Sequence, residues 1–151
     1  MSNFVRDFVL LFLGLFFFSW LISLPIRWRE LSTKYKVEQG RKSSAFLINQ
    51  VGGFKSDRGT ASIKGLIIGI SDEGLHLAVP SPIEVFFPSL LIPWTEITYQ
   101  KVYNSNFRQE SIVFHLGNPT ITSLTVDSSA IEKLEKEYGE PIFSNKLGEL
   151  N

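Results

Sequence analysis

Residues Phe8 to Ile26 read FVLLFLGLFFFSWLISLPI, nineteen positions without a charged side chain. As a helix this run rises about 1.5 Å per residue and covers roughly 28 Å, close to the ~30 Å hydrocarbon core of a bilayer. Fourteen of the nineteen are Leu, Ile, Val or Phe. At roughly −0.3 to −0.6 kcal/mol each they favour insertion by about 4–8 kcal/mol. The run is apolar on every face, unlike the striped surface helix of a soluble domain. A cleaved leader fits poorly, because Arg6 is offset by Asp7, the run is long and no small-residue cleavage site follows. The expectation is a single transmembrane helix over residues 8–26 after a short tail, residues 1–7. Trp20 and Trp28 are then placed near one interface, where indoles concentrate. Ser19 and Ser23 either bond back to their own helix or seat a second one.

Charge around the run sets its direction. Residues 27–42 hold Arg27, Arg29, Lys34, Lys36, Arg41 and Lys42 against Glu30 and Glu38, whereas the N-terminal tail has Arg6 balanced by Asp7. Basic residues close to a span stay on the cytoplasmic side. The expected location is therefore the inner (plasma) membrane, single-pass, with the C-terminal part in the cytoplasm. Trp28, Leu31 and Tyr35 recur at helical spacing, so residues 27–42 read as a basic juxtamembrane segment. Arg27, Arg29, Lys34 and Lys36 are its candidate headgroup contacts, each worth about 1 kcal/mol beside anionic lipid, with a solvated topology signal that binds nothing as the equal alternative.

After Gly40 the hydrophobic period shifts from 3.6 toward 2. Strands are expected near Ala45–Val51, Ile63–Ile70, Leu75–Val79, Leu90–Pro93, Ile97–Tyr103, Ser111–Leu116 and Ile121–Val126. Ser71-Asp72-Glu73-Gly74 reads as a type I turn closed by a left-handed glycine, and Gly117-Asn118-Pro119 as another turn. Ser129 with Glu132 forms a capping box, Ile131, Leu134 and Tyr138 share one face, and Gly139 and Pro141 end the helix. The fold class is α+β: a transmembrane helix, then over residues 43–140 about seven antiparallel strands capped by a C-terminal helix. Residues 141–151 form a tail with no strong pattern.

The string IIGISDEGLHLAV followed by LLIPWTEI resembles small bacterial membrane-anchored proteins of the pleckstrin-homology-like (PH-like, GRAM-like) kind. The matching residues are Gly69, Ser71, Gly74, Leu75 and Leu77, then Leu90, Leu91, Ile92, Pro93, Trp94, Glu96 and Ile97. Where that pattern has paired prolines, this chain has Pro88-Ser89. The close match covers about 30 residues and the order of elements about 95. The resemblance implies a PH-like β-sandwich or barrel. The phosphoinositide signature of its eukaryotic members is thin here, with Lys55, Arg58 and Lys64 interrupted by Asp57, so lipid-phosphate binding is not carried over.

No catalytic, cofactor-binding or metal-binding residue is expected. The chain has no cysteine, which excludes thiolate chemistry and disulfides. His76 and His115 stand in strand-like runs without a metal-spaced partner. Asp72 and Glu73 are explained by their turn, and Gly52-Gly53 before Lys55 by a flexible strand end. Trp94 is read as a core or sheet-edge residue, with a binding-site aromatic as the alternative. Zero net charge gives no pull toward nucleic acid. The expected role is a membrane-tethered, non-enzymatic interaction module whose partners are the lipid bilayer and a membrane protein or a second copy. A structural subunit of a membrane complex and an enzyme with an unrecognised site are the rivals. The loop VPSPIEVFFPSLLIP, Val79 to Pro93, offers Ile83, Val85, Phe86 and Phe87 as a candidate contact surface, with a fold-back of both phenylalanines as the competing reading.

Overall fold

The computed structural model describes residues 3–37, 45–80, 83–104 and 109–143. Helix α1 runs over Asn3–Ile26 and helix α2 over Trp28–Tyr35. Seven strands follow: β1 Ala45–Ser56, β2 Gly59–Ile70, β3 Gly74–Ala78, β4 Leu90–Pro93, β5 Ile97–Asn104, β6 Gln109–Leu116 and β7 Thr122–Asp127; helix α3 is Ser128–Tyr138. All seven expected strands are present, but β1 runs on to Ser56, past the expected end at Val51, and β2 begins at Gly59, ahead of Ile63. Arg41, Lys42 and Phe107, and the side chains of Ser19, Trp20, Ser23 and Ile83, lie outside the described residues.

The strands form one antiparallel sheet in the order β4-β3-β2-β1-β7-β6-β5. Its two outermost strands are consecutive in the chain, joined by the single 3-10 turn Trp94–Glu96. A flat seven-stranded sheet would hold those strands about 29 Å apart, at 4.8 Å per step. Three residues cannot bridge that gap, so the sheet curls until its edges approach. The bend is built into the longest hairpin. The β1–β2 register shifts on both sides of Gln50, and only Gly53, Phe54 and Lys55 of β1 also pair with β7. Gly65 lies at this irregularity with φ +82, a conformation that a side chain would disfavour.

The concave side carries the core. Ile68 faces Leu77 and Ile70 faces Leu75 across β2–β3, and Leu75 and Leu77 face Ile92 and Leu90 across β3–β4. All six are fully buried. The opposite half supplies Ile112, Phe114, Leu116, Leu124 and Val126. From α3 come Ala130, Ile131 and Leu134. Its N-cap is Asp127, whose carboxylate accepts from the Ser129 amide at 3.2 Å, and not Ser129 as the capping-box pattern suggests. Asp127 wins because its extended backbone ends β7 and turns the carboxylate toward the first free amides. At the other end Gly139, at φ +91, terminates the helix, and the Tyr138 hydroxyl donates to Asp72 at 2.6 Å.

Gly74 has a different role from the one its turn suggests. It is absent from the left-handed region. Its constraint is proximity, since a Cβ there would lie 2.0 Å from the Ile92 carbonyl oxygen of β4. Gly52 likewise is no loose strand end: a Cβ there would meet Leu66 Cδ2 at 2.6 Å in the middle of β1.

Two segments join the core without a strand or long-helix signal. Trp28, Leu31 and Tyr35 of α2 are 1%, 0% and 6% exposed. Trp28 packs edge-on to Phe54 and Phe87, with ring centroids 6.1 and 5.6 Å away, and its Nε1 donates to the Pro88 carbonyl at 3.0 Å. The interfacial position expected for Trp28 is thereby corrected: its indole is satisfied inside the protein. The folded domain begins at α2, where the sequence reading has only a basic connector. Val37 then donates to Ser89, and Lys36 bridges Leu90, so this segment covers the free edge of β4. In the expected tail, Ile142 and Phe143 are buried, Phe143 against Trp94 and Phe114.

Candidate membrane-facing surface

Helix α1 is 24 residues long, about 36 Å at 1.5 Å per residue. Every side chain from Phe4 to Phe18 is exposed, including Phe8, Phe12, Phe16, Phe17 and Phe18 at 53–62%. Among the described residues no helix is long and apolar enough to cross a membrane. The described side chains of α1 stop at Phe18, while its backbone stays helical, and its sequence uncharged, to Ile26.

Arg27 separates α1 from α2. Its backbone is left-handed, φ 58 and ψ 32, a conformation that costs a non-glycine residue about 1–2 kcal/mol. Its side chain offsets that cost by clamping three places. The guanidinium pairs with Glu30 in α2, with Asp57 in the β1–β2 turn at 3.2 Å, and with the Ile121 carbonyl before β7 at 3.2 Å. Arg58 reaches Glu30 from the same turn at 3.3 Å. The end of α1 is therefore fastened to the sheet.

The four basic residues picked out by the sequence divide into two pairs. Arg27 is held by carboxylates. Lys34 pairs with Glu96, which also accepts from the Tyr35 hydroxyl. These contacts, the Lys34 bond first, hold the Glu96 carboxyl below the usual carboxylate range and raise Lys34 above its own. Tyr35 is raised as well, first by burial. Arg29 and Lys36 are exposed, as is Lys34 despite its ion pair.

The candidate loop divides residue by residue. Phe87 is 3% exposed and belongs to the core, against Trp28. Phe86 is half-buried and meets Phe16 of α1 edge-on, centroids 5.9 Å apart. Val85, closing the 3-10 turn Ile83–Val85, is 78% exposed. Neither earlier alternative describes the whole loop: Phe87 is buried in the core, whereas Phe86 is half-buried, packed against that core and also meeting Phe16 of α1. Sequence reasoning gave no sign of the Phe16 contact, because the two positions share no periodicity. The exposed Phe46 and Val51 of β1, a strand that α1 approaches, were likewise missed as surface residues.

Elsewhere His76, His115 and Trp94, singled out in the sequence, each have a polar neighbour. His76 lies 3.2 Å from Ser71 Oγ, and His115 Nδ1 lies 2.9 Å from Ser123 Oγ. Trp94 Nε1 donates to the Ser71 carbonyl at 2.9 Å. Among the described residues no group of three or more His, Cys, Asp or Glu could hold a metal ion. A pocket of about 160 Å³ opens between β5, β6 and α3, lined by Tyr99, Lys101, Ile112, Glu135 and Phe143 among others. It is smaller than the roughly 300–1,000 Å³ of common small-molecule sites. Comparison with protein-family profiles, with curated proteins and with solved structures gives no match.

Proposed function

We propose that this chain is a membrane-tethered, non-enzymatic interaction module. In this reading α1 crosses the inner (plasma) membrane once and the curled β domain stands on the cytoplasmic face. There it contacts lipid headgroups or a membrane-protein partner. The observation that carries the proposal is α1 itself: a 24-residue helix whose described side chains from Phe8 to Phe18 are apolar and exposed, in a sequence with no charge from Phe8 to Ile26. Water does not tolerate an apolar surface of that extent on a monomer, and acyl chains accept it. The basic residues at 27–42 give the direction. Ion pairing of Arg27 and Lys34 does not remove them from that count, because it leaves their charges in place.

The PH-like resemblance belongs to the same proposal. It is supported by a strand meander followed by one helix that fills the curl, and by a hairpin and corner, Gly69 to Ile97, in which Gly74 and Trp94 have defined packing roles. Reporter fusions after Asn151 test the orientation. A reporter that works only in the cytoplasm should be active, and one that requires export should be silent. The reverse pattern would overturn the cytoplasmic placement.

A further inference from the structure

We infer that the loop Ile83–Phe86 enters the acyl region of the leaflet from which α1 emerges, so that two adjacent apolar elements seat the domain on the bilayer. This rests on the reading of α1 as a membrane span and adds a second inserted element to it. The decisive contact is Phe16 with Phe86. Phe16 lies ten residues before the end of α1, about 15 Å along the helix axis and about half the hydrocarbon thickness. If the uncharged run fills the bilayer, a residue touching Phe16 stands below the headgroups. Tilting the helix makes the loop shallower without separating the rings.

The rest of the loop fits that depth. Phe87 anchors it from behind in the core, so it is held in position and does not dangle. Val85 is apolar and 78% exposed, with most of its side chain uncovered by the described residues. Glu84 is the one charge. Neighbouring residues of a 3-10 turn point about 120° apart, so its exposed side chain does not share the direction of Val85. Phe46 and Val51 are also exposed, on β1, a strand that α1 approaches. The occupant is acyl chain because the patch is continuous with α1.

The chain has no cysteine, so single labels report cleanly. Val85→Cys, Leu13→Cys on α1 and Glu137→Cys on α3 are each made in the full chain and labelled with an environment-sensitive fluorophore. All three positions are exposed, so the substitutions leave the fold intact. The proteins are reconstituted in phosphatidylcholine–phosphatidylglycerol vesicles, with bromine either on the acyl chains or absent. The expected result is acyl-bromine quenching of the Leu13 and Val85 labels and none of the Glu137 label. Quenching at Leu13 without quenching at Val85 overturns the inserted loop and leaves the anchor standing. No quenching at Leu13 overturns the anchor reading and the inference with it. An unquenched Val85 label, together with efficient crosslinking of Val85→Cys to a second chain by a short bismaleimide, means that another copy covers the patch and also overturns it.

Discussion

Replacing Trp28 by alanine separates two accounts of the same residue. A tryptophan two residues past an apolar run belongs at a membrane interface by sequence logic, whereas the fold places it 1% exposed between Phe54 and Phe87. Truncating a buried Trp costs about 3–5 kcal/mol through lost transfer energy and the cavity left behind. Part of that sum is the two edge-on ring contacts, at about 0.5–1.5 kcal/mol each, and part is the Pro88 carbonyl left without its donor, at about 1–3 kcal/mol. A domain of this size is stable by roughly 6–17 kcal/mol, so the loss is a large fraction of the total. The assay is guanidinium unfolding of a fragment from Arg27 to Asn151, followed by far-UV circular dichroism so that the missing indole does not affect the signal. Trp28→Phe should cost less, about 1–3 kcal/mol, because it keeps a ring in the site and loses the Nε1 bond. A Trp28→Ala midpoint that shifts by less than about 0.5 kcal/mol, the range of an exposed substitution, would refute the packing argument and return Trp28 to the interface.

The remaining expectations are equally concrete. A fragment beginning at Arg27 should unfold in one cooperative transition by calorimetry, whereas one beginning near residue 40 should not, since it lacks Trp28, Leu31 and Tyr35 and uncovers the β4 edge. Gly74→Ala should destabilise by about 1–3 kcal/mol or more in denaturant unfolding, because its Cβ meets the Ile92 backbone, which cannot rotate away. The Glu96 contact should give an acid-side dependence. Its folded pKa is lowered, so the contribution is complete above the ordinary carboxylate range and is lost as pH falls through the lowered folded value. Unfolding midpoints of the wild type and Glu96→Gln at neutral and acidic pH should show a steeper acid decline in the wild type. Lys34 and Tyr35 are both raised. Their contribution is complete below their ordinary values and is lost on the alkaline side as pH climbs through the folded ones.

The strands were legible because each buries one face, and a period of two is then written into the residues. Leu75, His76 and Leu77 show it directly: the two leucines are fully buried and the histidine between them is half-exposed. Short helical pieces carry too few turns for periodicity to assign a neighbour. The spacing of Trp28, Leu31 and Tyr35 identified a face correctly, but nothing in eight residues states whether that face meets lipid or a sheet. Ile142 and Phe143 were invisible for a similar reason, as two apolar residues after Pro141 have no period at all. The Phe86–Phe87 split shows the same limit. Adjacent residues on an irregular loop point in different directions, and only the positions of Trp28 and Phe16 decide which ring goes where. Gly74 was recognised as sterically special, but its cause, contact with β4, is tertiary.

Membrane retention of α1 tests the central claim most directly. Membranes from cells expressing the full chain are washed with alkaline carbonate, in parallel with membranes from cells expressing the Arg27–Asn151 fragment. Peripheral proteins are released by this treatment and integral ones are not. The account predicts that the full chain stays in the pellet and that the fragment is found in the soluble fraction. Release of the full chain by carbonate would contradict it, and would mean that the apolar surface of α1 is covered by protein and not by lipid.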